Sequence, residues 1–256
     1  MNRLEKLFVE KPKNVLNIYF TAGFPGLTDT MSLLQTLQDS GVDIAEVGIP
    51  FSDPVADGET IQRANTTALM NGMTVELLFE QLEDMRKTIS IPVILMGDVN
   101  PMLQYGVEAF CKKCEEIGID GLILPNLPLN EYILNFKDIF EKHGLLNIFL
   151  ITPQTSPERI HQIDQNSRGF IYMVSSASTT GSTSGVTSEM LSYFDRINSM
   201  SLANPRLIGF GISDKPSFQS ASQFASGAII GSAFIRAIDN ETPAASAADF
   251  IKAIVH

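Results

Sequence analysis

Short runs rich in Val, Ile, Leu and Phe recur eight times along this chain, and the stretches between them carry apolar residues at helical spacing. No other feature constrains the fold as strongly, because consecutive parallel strands need a crossover and a helix is the usual one. The strand-like runs fall at residues 15–21, 44–47, 91–96, 121–124, 146–150, 169–174, 206–210 and 228–230. Helices are expected over 28–38, 75–88, 103–117, 130–143, 157–166, 188–198, 217–226 and 244–255. Asp29, Thr74 and Ser188 are polar starts, and Gly41, Gly118 and Gly144 are stops. Eight strand-helix units predict an α/β fold, a closed (β/α)8 TIM barrel forming a single domain over residues 1–256. An open doubly wound sheet is the alternative, since periodicity does not show closure.

Composition narrows the function. With 256 residues, of which 44% are hydrophobic, the chain can build a large core without disulfides or metal. A formal net charge of -11 with no long basic run argues against a nucleic-acid partner. No window approaches the length of a membrane span, and the charged, amphipathic opening through Asn14 has neither the apolar core nor the cleavage site of a signal peptide. The expectation is a cytoplasmic protein that binds no membrane. Cys111 and Cys114 form a CxxC pair, but their surroundings have helical period and no second ligand pair follows, which points to ordinary helix positions.

A barrel gathers its reactive side chains at the carboxyl ends of its strands. The run from Ala45 to Gly58 ends an apolar strand in a dense set of acids, glycines and prolines. Glu46 follows Ile44 and Ala45, so burial would raise its carboxyl toward the range useful for taking and giving a proton. Asp57 lies on the following loop and can face the other side of a bound substrate. Alternatives stay open here: Glu46 as a salt-bridge partner, Asp57 as cap of a helix starting near Thr60, or a magnesium site of Glu46, Asp53 and Asp57. Neither His143 nor His161 falls in a loop that would reach these acids, and His256 is terminal.

The last two strands point to a phosphate site, with glycines that only relieve tight turns as the alternative. Gly211 follows the seventh strand, and Gly231-Ser232 leads the eighth straight into a short helix, the arrangement by which barrels hold phosphate on backbone N–H groups. Residues 175–185 form a Ser, Thr and Gly loop suited to a lid, with Gly181 able to add its N–H to the same phosphate. A plain surface linker is the alternative.

These motifs resemble the tryptophan synthase alpha subunits over nearly the whole chain. The resemblance is carried by the segment from Glu46 to Gly58, Ile61-Gln62, Ala64, Asn100-Pro101, Asp120-Gly121, Gly169-Phe170-Ile171-Tyr172, Thr180-Gly181, Gly209-Phe210-Gly211-Ile212 and Gly231-Ser232-Ala233. It implies a barrel that cleaves indole-3-glycerol phosphate to indole and D-glyceraldehyde 3-phosphate by a retro-aldol route. Glu46 matches the family's proton-transfer glutamate, Asp57 the aspartate that hydrogen-bonds the indole nitrogen, and Tyr172 a tyrosine that orients the glycerol part. Tyr19 matches an aromatic beside the indole, while Thr180, Gly181, Phe210, Gly211, Gly231 and Ser232 match substrate- and phosphate-binding positions.

The resemblance further implies no cofactor in this chain and a partner, a beta subunit that carries pyridoxal phosphate, in an alpha2-beta2 complex that channels indole. Asp53 and Pro54 match the loop that meets the beta subunit, with 100–103 and 126–131 as further contacts, and the isolated chain is expected to be a monomer of low activity. Departures from the family pattern are Glu59 for a common proline, Asp98 for a frequent aromatic, Asn126 for a frequent aspartate, and the segment 176–179. No lysine suited to Schiff-base chemistry marks a strand end, so a lysine aldolase fits poorly. The other readings are a noncatalytic allosteric subunit and a related barrel enzyme acting on another phosphorylated substrate.

Overall fold

The computed structural model describes residues 1–54, 57–174, 187–209 and 211–255. The expected lid at 175–185, with Thr180 and Gly181, and the binding residue Phe210 lie outside the described residues. Among the described residues the strands are β1 (Val15–Thr21), β2 (Ile44–Gly48), β3 (Val93–Met96), β4 (Gly121–Ile123), β5 (Leu146–Ile148), β6 (Leu150–Ile151), β7 (Ile171–Val174), β8 (Arg206–Gly209) and β9 (Gly227–Ile230).

Every pairing is parallel, in the order β5-β4-β3-β2-β1-β9-β8-β7-β6. Only Phe149 separates β5 from β6, so the two outermost members of the ladder are halves of one extended segment and the sheet returns on itself. Phe149 stays in the ladder, its carbonyl accepting from the Tyr172 N–H at 3.0 Å. The result is a barrel of eight staves, and the open-sheet alternative is excluded. All seven residues of β1 are buried, as expected of a parallel strand covered on both faces. Outside the strands, the helix Asp29–Asp39 packs against the C-terminal helix Pro243–Val255.

Several boundaries differ from the periodicity, each for a local reason. The helix expected over 103–117 is two helices, Val99–Tyr105 and Val107–Ile117, because Gly106 takes φ +93°, a conformation that no helix continues through. The stretch 130–143 is helical from Leu129 but widens to a π turn at Tyr132–Phe136 before Lys137–Lys142. Periodicity also left the length of the helix Glu59–Met70 undefined. Cys111 and Cys114 are buried, unpaired positions on the inner face of Val107–Ile117. Among the described residues, no helix is long and apolar enough to cross a membrane.

The charged opening of the chain becomes the helix Arg3–Glu10, which closes the amino-terminal end of the barrel. Asn2 starts it with a capping box to Glu5 and ties it to the barrel floor, donating to the carbonyls of Asp120 at 2.9 Å and Gly144 at 3.2 Å. Leu4 is fully buried against Gly169. The buried Asp120 carboxylate pairs with Arg86 at 2.6 Å and Arg3 at 3.1 Å and accepts from the Val93 N–H at 2.9 Å. This ionic cluster serves the floor, at the opposite end from the reactive mouth.

Closure depends on close backbone approach at β1 and β9. A Cβ on Gly227 would overlap the backbone of Val15, its register partner. We expect Gly227→Ala to lower stability by about 1–3 kcal/mol, measured as a fall in the urea unfolding midpoint with unchanged slope.

Candidate active site

Parallel register places Tyr19 of β1 directly beside Glu46 of β2. Both point into the barrel, together with Asn17, whose Nδ2 donates to Glu46 Oε2 at 2.7 Å. Strand alternation forces this grouping, because residues two apart share a face. Tyr19 Oη lies 3.3 Å from Thr21 Oγ1 on the same face. Glycine makes room for the phenols: a Cβ on Gly48 would collide with the Tyr19 hydroxyl, and one on Gly209 with the Tyr172 hydroxyl. Tyr172 enters from β7, across the barrel, near enough for the charges of Glu46 and Asp57 to act on it.

Glu46 is 0% exposed. Burial pushes its carboxyl up to about 8, an effect that the Asn17 hydrogen bond opposes and the Asp57 charge reinforces. Oε1 has no hydrogen-bond partner among the described residues. Asp57 is pushed up less, to about 6, again by burial, with the Asn65 amide opposing. Burial, reinforced by Asp57 and Glu46, holds the Tyr19 phenol above its ordinary range, and Tyr172 is raised by the same causes. Near neutrality the site therefore holds a protonated Glu46, an ionised Asp57 and two neutral phenols, with opposite proton states on the two carboxyls.

The two bland alternatives are corrected. Among the described residues no cation pairs with Glu46; its partner is an amide. Asp57 does not cap the helix Glu59–Met70, whose N-cap is Gly58 with no side-chain hydrogen bond. Instead the loop is pinned through the Asp57 backbone, its N–H donating to the Pro54 carbonyl at 3.0 Å and its carbonyl accepting from Gln62 at 2.8 Å. The magnesium alternative fails too: Asp53 is exposed and bonded to Ser52, and no group of three or more His, Cys, Asp or Glu among the described residues is placed to hold a metal ion. His143 is held between Glu115 and Glu108, at 2.7 and 3.2 Å.

A small cleft, open to solvent, occupies the mouth above β1 to β4. Tyr19, Asp57, Asn65 and Pro54 line one side, and Met96, Asp98 and Asn126 the other. Its mixed apolar and polar wall suits a small aromatic ligand. The two departures on this wall are partners of each other. Asn126 Nδ2 donates to Asp98 Oδ2 at 2.9 Å, while Asn126 Oδ1 accepts from the Val99 N–H at 2.9 Å and Asp98 Oδ1 from that of Asn100 at 2.9 Å. The pair ties the loop after β3 to the loop after β4.

Gly231 and Ser232 begin the helix Ser232–Ala237 after β9, and Gly231 leaves that helix start without a side-chain cap. A Cβ on Gly231 would make only ordinary contact with Tyr19, at 3.5 Å, so the glycine keeps space beside the ring. Gly211 has φ +77°, which favours glycine there. None of the three lines the cavity that holds Asp57.

The sequence profile described as tryptophan synthase alpha chain matches residues 6–254. The chain belongs to the tryptophan synthase alpha chain family. It is 57% identical to the tryptophan synthase alpha chain of Flavobacterium psychrophilum over 254 residues, covering 99% of this chain and 100% of that one. The Christiangramia forsetii alpha chain is 56% identical, with 99% and 98% covered. Among solved structures, the alpha chain of Legionella pneumophila superposes with a TM-score of 0.88 at 34% identity, covering 99% of this chain and 96% of that chain. Tryptophan synthase of Mycobacterium tuberculosis does so at 0.87 and 30%, covering 99% and 96%.

Two amides escaped the sequence reading: Asn17, on Glu46, and Asn65, whose Nδ2 lies 3.4 Å from Asp57 Oδ2. The signal for Asn17 was present, an amide between Leu16 and Ile18 in an otherwise apolar strand. A buried carboxyl with a raised proton affinity binds a proton in the folded state that the unfolded chain releases above about 4.5, so its contribution to stability is lost as pH rises toward about 8. We expect Glu46→Gln to unfold at higher urea concentration than wild type at pH 8, with the gap closing by pH 5; an equal gap at both values would contradict the raised carboxyl.

Proposed function

We infer that this chain cleaves indole-3-glycerol phosphate to indole and D-glyceraldehyde 3-phosphate, the alpha reaction of tryptophan synthase. The proton assignments rest on one observation, a buried Glu46 and a half-buried Asp57 close enough to interact and with unlike proton affinities, about 8 for Glu46 and about 6 for Asp57. Glu46 starts protonated and gives its proton to indole C3. Positive charge then develops on the ring nitrogen, where the Asp57 carboxylate accepts the N–H hydrogen bond and stabilises it. The bond from C3 to the glycerol carbon breaks, its electron pair restores the neutral indole, and the Glu46 carboxylate takes the proton of the glycerol hydroxyl as the aldehyde forms. Glu46 ends protonated, ready for another turnover.

Tyr172 orients the glycerol part and Tyr19 packs beside the indole. The phosphate is held at Gly211, Gly231 and Ser232, with Thr180, Gly181 and Phe210 completing the site. Backbone N–H groups at an uncapped helix start can hold an anion without a cation, which suits a chain of net charge -11. The chain works in an alpha2-beta2 complex with a beta subunit that carries pyridoxal phosphate and receives the indole. Exposed Asp53, with Pro54 on the cavity edge, supports placing that loop against the partner, and the exposed Leu103 and Leu134 lie in or close to the other expected contact segments.

Indole release by the purified chain, with and without its cognate beta subunit, tests the reading. Glu46→Gln should lose activity by roughly 10³-fold and Asp57→Asn by roughly 10²-fold, within the range of positioned acid-base groups. The kcat/KM profile should be bell-shaped, rising through about pH 6 as Asp57 ionises and falling through about pH 8 as Glu46 loses its proton. Full activity in Glu46→Gln would refute the assignment.

A further inference from the structure

We propose that Asn17 is a positioning residue that directs the transferable proton of Glu46 to Oε1, the oxygen left free for substrate, by occupying Oε2 with its amide N–H. The proposal rests on the reading of Glu46 as the proton-transfer group.

Asn17 is 0% exposed in a strand whose other residues are mostly apolar, and a buried amide is costly unless its hydrogen bonds are made. Here one bond is made, Nδ2 to Glu46 Oε2 at 2.7 Å, while Asn17 Oδ1 has no partner among the described residues. Packing alone would be better served by an aliphatic side chain of the same size. The amide instead divides two otherwise equivalent carboxyl oxygens. Oε2 already accepts from an N–H, so a proton placed there would set donor against donor. Oε1 is buried and has no hydrogen-bond partner among the described residues, so the proton rests on Oε1.

The same N–H supports the other half of the cycle. Once Oε1 has given up its proton, the carboxylate is left in a dry interior, and a donor on Oε2 stabilises that charge. Register makes the arrangement rigid, because Asn17 is held opposite Ile44 and Tyr19 opposite Glu46. The other titratable groups acting on Glu46 or acted on by it are Asp57 from the loop, Tyr19 from β1 and Tyr172 from β7. Burial keeps both phenols neutral, so Asp57 is the one other group among them that titrates near neutrality.

Two variants of nearly unchanged volume separate this role from packing. Asn17→Leu removes the donor, and Asn17→Asp replaces it with a second carboxyl that would share the Glu46 proton at Oε2. Indole release should be followed against pH for each variant, for wild type and for Glu46→Gln, with the cognate beta subunit present. In Asn17→Leu, kcat should fall about ten- to a hundredfold with KM little changed, and the alkaline limb should move up by about one to two pH units, the size expected from losing a hydrogen bond to a charged group. Asn17→Asp should be slower still. If one variant fails to fold, the limb position and kcat of the other decide. A folded variant with kcat within about twofold of wild type and an unmoved alkaline limb would overturn the role of Asn17. Retained activity in Glu46→Gln would instead overturn the proton-transfer reading on which it rests.

Discussion

The barrel closes through one extended segment. Residues 146–151 pair with β4 through their first half and with β7 through their second, so a nine-member ladder has no free edge. Closure shields the interior from bulk solvent, since a parallel sheet is covered on both faces and Asn17 and Glu46 are buried within it. It also brings Tyr172 from β7 within reach of the charges that β2 and its loop supply, although about 125 residues of chain separate them. An open sheet of the same strands would hold the same residues with Glu46 facing solvent or helix.

That shielding sets the chemistry. Desolvation is the largest influence on both acids, and the partners are amides, which moderate the shift without supplying a counter-charge. A cation in place of Asn17 would pull Glu46 down to an ordinary carboxylate and remove its acid form at neutral pH. Asp57, nearer the open mouth, is raised less, and the difference in burial, reinforced by the Asp57 charge acting on Glu46, separates an acid from a carboxylate within one site. At the other end of the barrel a buried carboxylate is paired instead. Asp120 is equally buried but carries two guanidinium partners, and it holds the floor together.

The cavity wall shows how a departure from the family pattern is absorbed. Asp98, where the resemblance implies a frequent aromatic, is accommodated because Asn126 supplies a donor to it and takes the Val99 N–H in return. Two substitutions that look unrelated in sequence form one hydrogen-bonded unit across neighbouring loops.

Sequence alone determined the strands and most helices, because those follow from periodicity, and it singled out the acids as residue types that a core does not need. Val15–Thr21 and Pro157–Asn166 match their expected bounds, since both are locally patterned and clearly ended. The break at Gly106 and the π turn at Tyr132–Phe136 were not legible, because a glycine or a widened turn inside an apolar period leaves that period almost unchanged. Only tertiary structure decided that the sheet closes, that Asn17 meets Glu46 29 positions away, and that Gly48 and Gly209 exist to admit two phenols. Each depends on register between separate strands, and register is a property of the assembled sheet that no single strand's sequence carries.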